Sequence, residues 1–361
     1  MAEKTILVMA GGTGGHVYPA LAVAQYLREQ GSRLLWIGTR NGIEACVVPE
    51  NGFPLLLIHI RGLRGKTLLR RVTAPLMLML ALLQSLVIMI RYKPDAVIGL
   101  GGFVSGPGGI AAWLLRIPLY IHEQNAIAGL TNRLLAPLAR TVMLGFPGAL
   151  VGKRVITTGN PVRMEIRKLD APQTRIGSRQ HNPLRLLVLG GSLGAKALNE
   201  LLPEVLSSLP DRVQIEVWHQ TGATHIGVTR DLYARHQLHQ ARVDAYINDM
   251  AAAYSWADLV LCRAGASTIG EICTVGIASI LVPYPHAVDD HQTANARYLS
   301  DAGAAILIPQ SDLTVNGVRD LLSGFFSERA QLLEMATIAR SKAFPDATSH
   351  ISHICMGAGH A

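Results

Sequence analysis

Aromatic residues make up only 5% of the 361-residue chain and charged residues 16%. No basic stretch is interleaved with aromatics, so the chain offers no platform on which single-stranded bases could stack, and no nucleic acid is expected as a partner. Cysteine is scarce too: Cys46, Cys262, Cys273 and Cys355 form no C-x-x-C pair. That excludes a disulfide framework or a thiolate zinc site and fits a reducing compartment. No D-x-D pair occurs, so a divalent ion held on a diphosphate by two neighbouring carboxylates is not expected, and neither a metal nor a cofactor is. The dehydrogenase G-x-G-x-x-G spacing and the G-K-[ST] of a P-loop are also missing. The opening Met-Ala-Glu-Lys runs straight into an apolar strand, which predicts no signal peptide and a cytoplasmic protein.

Hydrophobic residues reach 49% and the net charge is +8. The length fits two domains of about 180 residues each. The basic balance points to an acidic partner such as phosphates or an anionic membrane. The continuous apolar run over 5–10 ends in glycines and precedes a helix from about Tyr18 to Glu29 and a second strand over 33–38. Strand, glycine turn, helix, strand is the βαβ unit of a doubly wound parallel sheet. Further strands are expected over 96–98, 119–121 and 141–144. The same opening recurs at 186–190, before Gly191-Ser192-Leu193-Gly194, and strands follow over 214–218, 258–262 and 278–282. Two Rossmann-like domains are therefore expected, 1–163 and 164–340, with the site in a cleft between them and a linker near 159–183. A final helical segment, 341–361, is expected to pack back on the first domain.

Residues 74–90 are apolar apart from Gln84 and Ser85. As a helix they cover about 25 Å, short of the roughly 30 Å hydrocarbon core. A span would also separate strands that belong in one sheet. Arg61, Arg64, Lys66, Arg70, Arg71, Arg91 and Lys93 flank the segment, and no acidic residue lies between Glu50 and Asp95. An apolar helix with basic flanks is suited to dip into an anionic leaflet, so the 61–93 segment is expected to meet anionic lipids.

Chemistry-bearing residues gather at strand ends. Gly11-Gly-Thr-Gly-Gly-His16 brings backbone N–H groups and a helix N-terminus within reach of a diphosphate, and His16 adds an ionisable group. The stretch 99–109 is a second glycine-rich loop, read as a further diphosphate site. His122-Glu-Gln-Asn125 places four polar side chains in a row, costly to bury unless partnered. Ser192 and its turn can take phosphate as the first loop does. In Arg263 to Glu271, the pair Thr268 and Glu271 matches a capping box, while Glu271 equally suits both ribose hydroxyls of a nucleotide. His286, Asp289, Asp290, His291 and Gln292 crowd one segment. They are read as a clamp on sugar hydroxyls ahead of a metal site.

The ordered set Gly11–His16, Gly101–Gly109, His122–Asn125, Gly159-Asn-Pro-Val-Arg163, Gly190-Gly-Ser192 and Asp289-Asp-His-Gln292 resembles the MurG family, the peptidoglycan N-acetylglucosaminyltransferases. Each motif alone is weak; together they run over nearly the whole chain in order. The resemblance implies a GT-B fold and an inverting transfer of N-acetylglucosamine from UDP-N-acetylglucosamine to lipid I, giving lipid II. It implies a peripheral enzyme on the cytoplasmic face of the inner membrane that needs no metal. Carried over, it assigns Ser192 and Arg163 to phosphate or sugar, the Ile247 backbone to uracil, and Arg263, Ala266, Ser267, Thr268, Ile269, Gly270 and Glu271 to diphosphate and ribose. His291 and Gln292 match sugar contacts, and Thr13, Gly14, Gly15 and Asn125 match donor or acceptor contacts. His16 is the favoured general base and Glu123 the other candidate. Leu193 and Lys196 stand where the family pattern has Gln and Arg. The alternatives are another GT-B enzyme (a diacylglycerol glucosyltransferase or a UDP-sugar 2-epimerase) and a nucleotide-sugar binder without turnover.

Overall fold

The computed structural model describes residues 3–60, 68–177, 183–191 and 193–357, with the side chains of 68–73 excepted. The chain forms two compact units, Met1–Arg163 with Pro345–Ala361, and Met164–Phe344.

In the first unit, β1 (Thr5–Met9), β2 (Arg33–Gly38), β3 (Leu55–Leu57), β4 (Ala96–Gly99), β5 (Leu119–Glu123), β6 (Thr141–Leu144) and β7 (Val155–Thr157) form one parallel sheet in the order β3-β2-β1-β4-β5-β6-β7. Its helices are α1 (Gly14–Glu29), α2 (Glu44–Glu50), α3 (Leu68–Tyr92), α4 (Ser105–Leu114) and α5 (Leu130–Leu135). β1 is buried on both faces, as parallel strands between helical layers must be. Ile6 and Val8 pack with the α1 side chains, while Leu7 and Met9 pack with Ala81 and Met89 of α3 and Ala111 of α4.

The second unit begins with α6 (Met164–Arg167) and α7 (Pro172–Gly177). Its sheet has the order β10-β9-β8-β11-β12-β13, built from β8 (Leu184–Leu189), β9 (Ile215–Gln220), β10 (Arg242–Asp244), β11 (Leu259–Cys262), β12 (Ala278–Leu281) and β13 (Ala305–Leu307). Around it lie α8 (Lys196–Ser207), α9 (Ile226–Arg235), α10 (Met250–Trp256), α11 (Ala266–Val275), α12 (His291–Ser300), α13 (Val315–Ser327) and α14 (Arg329–Ser341). The last helix, α15 (Ala347–Cys355), belongs to the first unit. There Ile351 joins the α1 core and His353 meets Tyr26 edge to face at 6.0 Å.

Both sheets reverse strand order at the same place. The chain winds outward from β1 to β3 and returns to β4; it winds outward from β8 to β10 and returns to β11. The loops leaving β1 and β4, or β8 and β11, therefore diverge and open a crevice at the carboxyl edge, where doubly wound sheets bind ligands.

Several sequence expectations need correction. The stretch 159–183 is not a linker throughout, because α6 and α7 are integral to the second unit. Arg175 of α7 is buried and donates to four backbone carbonyls: Asp170 and Tyr254 at 3.1 Å, Val275 at 2.9 Å and Gly276 at 2.6 Å. These last carbonyls stand at the C-terminal end of α11, where helical C=O groups lack partners of their own. The first helix starts at Gly14 rather than Tyr18, so His16 lies in its first turn. In the 99–109 stretch only Gly101 and Gly102 shape the loop. Gly108 and Gly109 lie inside α4, where a Cβ would strike the Met9 sulfur or Leu135. They are packing glycines rather than phosphate ligands. β3, β7, β10 and β13 lie outside the strands that the sequence predicts.

Arg175→Met removes four hydrogen bonds to backbone carbonyls, most of them buried, at a cost of about 3 kcal/mol. The melting midpoint of the second unit should fall by roughly 6–12 °C in differential scanning calorimetry. A fall of less than about 2 °C would show that water replaces the guanidinium.

Candidate active site

In the first unit the two glycine loops touch backbone to backbone. Gly102 has φ +83°, and a Cβ on it would strike the Gly11 carbonyl; one on Gly101 would lie 2.5 Å from Cδ2 of His16. The His16 imidazole thus rests on the Gly101 backbone, half-exposed, with Nδ1 3.3 Å from the Thr13 hydroxyl. Thr13 is the N-cap of α1 and Gly14, Gly15 and His16 form its first turn, so the imidazole sits at the positive end of the helix dipole.

Beside them, the row at the end of β5 is a satisfied network. His122 is fully buried; burial pulls its pKa down to about 4, so it stays neutral while Nε2 donates to Gly159 O at 2.9 Å. Glu123 is 2% exposed, and both its oxygens are occupied. Oε1 accepts from Asn125 N at 2.9 Å and Asn125 Nδ2 at 3.2 Å; Oε2 accepts from Gly129 N at 2.9 Å and Asn132 Nδ2 at 2.8 Å. Gln124 donates to Leu100 O at 2.8 Å, tying β5 to the loop after β4. Asn125 is drawn onto Glu123 and remains half-exposed.

In the second unit, α11 starts at the carboxyl end of β11. Its N-cap is Gly265, with no side-chain cap, so Thr268 and Glu271 do not form a capping box. Glu271 accepts instead from the Tyr254 hydroxyl at 2.9 Å. Ala266, Ser267, Thr268, Ile269 and Gly270 make up the first turns of this helix; the Ile269 side chain is fully buried, so it can offer a ligand only backbone. Arg263 is committed to the fold. It donates to Val282 O and Pro283 O at 3.1 Å and to Gln310 Oε1 at 2.6 Å, and burial lowers its pKa.

The Gln292 Oε1 accepts from Tyr284 N at 2.8 Å, and His291 Nδ1 donates to Val288 O at 2.7 Å. Asp289 and Asp290 hold left-handed conformations, φ 54° and 50°, which aspartate tolerates better than most residues. Asp290 accepts from Thr293 Oγ1 at 2.7 Å. Among the described residues no three His, Cys, Asp or Glu side chains gather as metal ligands. Ser192 lies outside the described residues, and Arg163 is half-buried at the end of the first unit.

Three contributors escaped the sequence reading. Gln220, at the end of β9, donates to Gly191 O at 2.9 Å and accepts from Ile247 N at 3.3 Å, coupling the glycine turn after β8 to the Ile247 backbone. Behind it, His219 is buried and neutral, its pKa pulled to about 3 by burial; it bridges Tyr233 Oη and Asn199 Oδ1, each at 3.0 Å. The polar pair His219-Gln220 at the carboxyl end of β9 was the available signal. The third is Glu44, which binds Gly12.

The comparisons with known proteins agree with this geometry. Residues 6–144 match the glycosyltransferase family 28 N-terminal domain and residues 185–351 its C-terminal domain. The chain is 50% identical over 351 residues, 97% of each chain, to a Coxiella burnetii protein named UDP-N-acetylglucosamine–N-acetylmuramyl-(pentapeptide) pyrophosphoryl-undecaprenol N-acetylglucosamine transferase. It is 48% identical to the protein of that name from Marinobacter nauticus, covering 99% of this chain and 98% of that one. The crystal structure of Acinetobacter baumannii MurG superposes with a TM-score of 0.84 at 42% identity, covering 98% of this chain and 99% of the other. With two Rossmann-like parallel-sheet units, a glycine turn at each strand-order reversal and relatives matched over nearly its full length, the chain belongs to glycosyltransferase family 28 and, within it, to the GT-B enzymes of the MurG family.

Proposed function

We propose that the protein transfers N-acetylglucosamine from UDP-N-acetylglucosamine to the C4 hydroxyl of lipid I, undecaprenyl-diphospho-muramoyl-pentapeptide, and forms lipid II. The observation that carries this reading is the half-exposed His16 at the first turn of α1, seated on Gly101 at the strand-order reversal. His16 removes the proton of the C4 hydroxyl as that oxygen attacks C1 of the donor sugar; the bond from C1 to the diphosphate breaks and C1 inverts. Nδ1 faces the Thr13 hydroxyl, and a proton there puts the imidazole's lone pair on Nε2. Glu123 is the weaker candidate, because four donors already occupy its oxygens.

The second unit takes the donor. Departing UDP gains negative charge, and the N-terminus of α11 over Ala266–Gly270 stabilises it. Glu271, steered by Tyr254, accepts from the ribose hydroxyls. The Ile247 backbone, set by Gln220, meets uracil. Gln292 keeps its amide NH2 for a sugar hydroxyl, while Arg263 shapes the loop rather than touching phosphate. Thr13, Gly14, Gly15 and Asn125 are assigned to the acceptor, and Arg163 and Ser192 to the donor phosphates.

The same reading seats the first unit on the cytoplasmic face of the inner membrane. In α3, Ala81, Ser85 and Met89 face the core, while Leu76, Met79, Leu83, Val87 and Ile90 form a stripe on the other side, Leu76 67% and Val87 63% exposed. Trp113 and Leu114 of α4, which packs against α3, and Leu134 of α5 are exposed apolar residues of the same unit. Residues 74–92 are long and apolar enough to cross a bilayer, yet Ala81 and Met89 are committed to the sheet's core. This supports a helix lying in the interface. Of its basic flank, Arg61, Arg64 and Lys66 lie outside the described residues.

The reading is tested by UDP release from UDP-N-acetylglucosamine with and without a soluble lipid I analogue. Acceptor-dependent release with a disaccharide product is expected. Release without acceptor, yielding an epimerised sugar, would replace this reading with an epimerase, and UDP binding without release would replace it with a binder. His16→Ala should lower kcat about 100- to 10,000-fold at unchanged melting midpoint, whereas Glu123→Gln should lower the midpoint first. A kcat loss below tenfold for His16→Ala would move the base elsewhere. In flotation with anionic vesicles, Leu83→Glu combined with Val87→Glu should release the protein while activity toward the soluble analogue persists; unchanged flotation would rule out the α3 stripe.

A further inference from the structure

Glu44, the first residue of α2, is a carboxylate with no exposed surface. Oε2 accepts from Gly12 N at 2.9 Å; Oε1 accepts from Thr39 N at 2.9 Å and Thr39 Oγ1 at 2.7 Å. The surrounding sequence is cleared for it on three sides. A Cβ on Gly11 would lie 2.6 Å from Oε1, one on Gly38 2.7 Å from Cγ, and one on Gly42 would strike the carboxylate itself. A charge is buried at such cost only where its bonds are made. Here one bond grips the turn that carries His16. Gly12 has φ +91°, and its neighbour Gly11 is the backbone on which Gly102 rests.

From this we infer that Glu44 is a positioning residue for the transfer reaction. It clamps the Gly11–Gly12 turn against the Gly101–Gly102 loop and so fixes where His16 stands toward the acceptor hydroxyl. The inference rests on the proposed transferase activity. Glu44 touches no substrate; it acts through Gly12. Its two oxygens each accept an N–H, a demand no amide can meet. Glutamine at this position would turn its NH2 toward either Gly12 N–H or Thr39 N–H, and one donor would face another. A general base must hold hydrogen-bond geometry to the hydroxyl it deprotonates, so a loosened turn lowers turnover before it weakens donor binding.

The test is Glu44→Gln in the full chain, assayed with UDP-N-acetylglucosamine and the soluble lipid I analogue. We expect kcat to fall at least tenfold with donor KM within twofold. Thr39→Val, which keeps the backbone donor and loses the hydroxyl, should give a smaller loss of the same kind, and Thr39→Ser should restore it. A charge-assisted bond also places the Gly12 amide proton far downfield, and Glu44→Gln should move it upfield in a 1H–15N spectrum. If kcat stays within twofold, or donor KM rises as much as kcat falls, the inference is overturned. Should Glu44→Gln not fold, Thr39→Val with unchanged kcat overturns it equally. If the wild-type chain transfers no sugar, the functional reading fails by itself, and an unmoved Gly12 resonance then overturns the clamp independently.

Discussion

A parallel sheet delivers every strand's carboxyl end to one edge, and each sheet here must reverse its strand order once. That constraint organises the rest. At β1 and β4, and again at β8 and β11, successive loops leave in opposite directions and cannot cover the edge between them. The space fills with helix N-termini and glycine turns. In the first unit the two turns come so close that Gly102 abuts the Gly11 backbone and Gly101 the His16 ring. Side chains at those two glycines would push the loops apart and carry the imidazole with them.

A second demand follows from burial. Strands that run through a dry interior surface at this edge with polar residues, and each needs a partner before water is lost. Glu123 gathers the segment 125–132, Gln220 ties Gly191 to Ile247, and His219 joins Asn199 to Tyr233. Polar side chains that look like reactants in a linear reading are in good part scaffolding. His16, at the first turn of α1, stays half-exposed beside them.

This explains what could be read in advance. The central strands announce themselves as continuous apolar runs because both faces are covered, and the recurrence of the glycine turn reveals two units. The four strands that escaped, β3, β7, β10 and β13, are the sheet edges, three residues each. Pairing on one side only gives them too little pattern to be seen without their neighbours. The Thr268 and Glu271 spacing suggested a cap because the pattern is short; the true N-cap, Gly265, leaves no side-chain signature. Glu44 was invisible for another reason. Its significance lies in Gly11, Gly38 and Gly42, which make room for it only once the chain is folded.

The position of α15 has a bearing on synthesis. Ile351 and Ile354 of this helix complete the hydrophobic layer over α1, and Lys4 donates to the Met356 carbonyl. A ribosome emits the α1 residues early and must translate through the entire second unit before their covering helix exists. The second unit, continuous from Met164 to Phe344, has its whole core available before α15 is made. Until then the first unit waits with Val17, Leu21 and Ala24 of α1 short of their last neighbours, so the domain that begins the chain is the one that closes last.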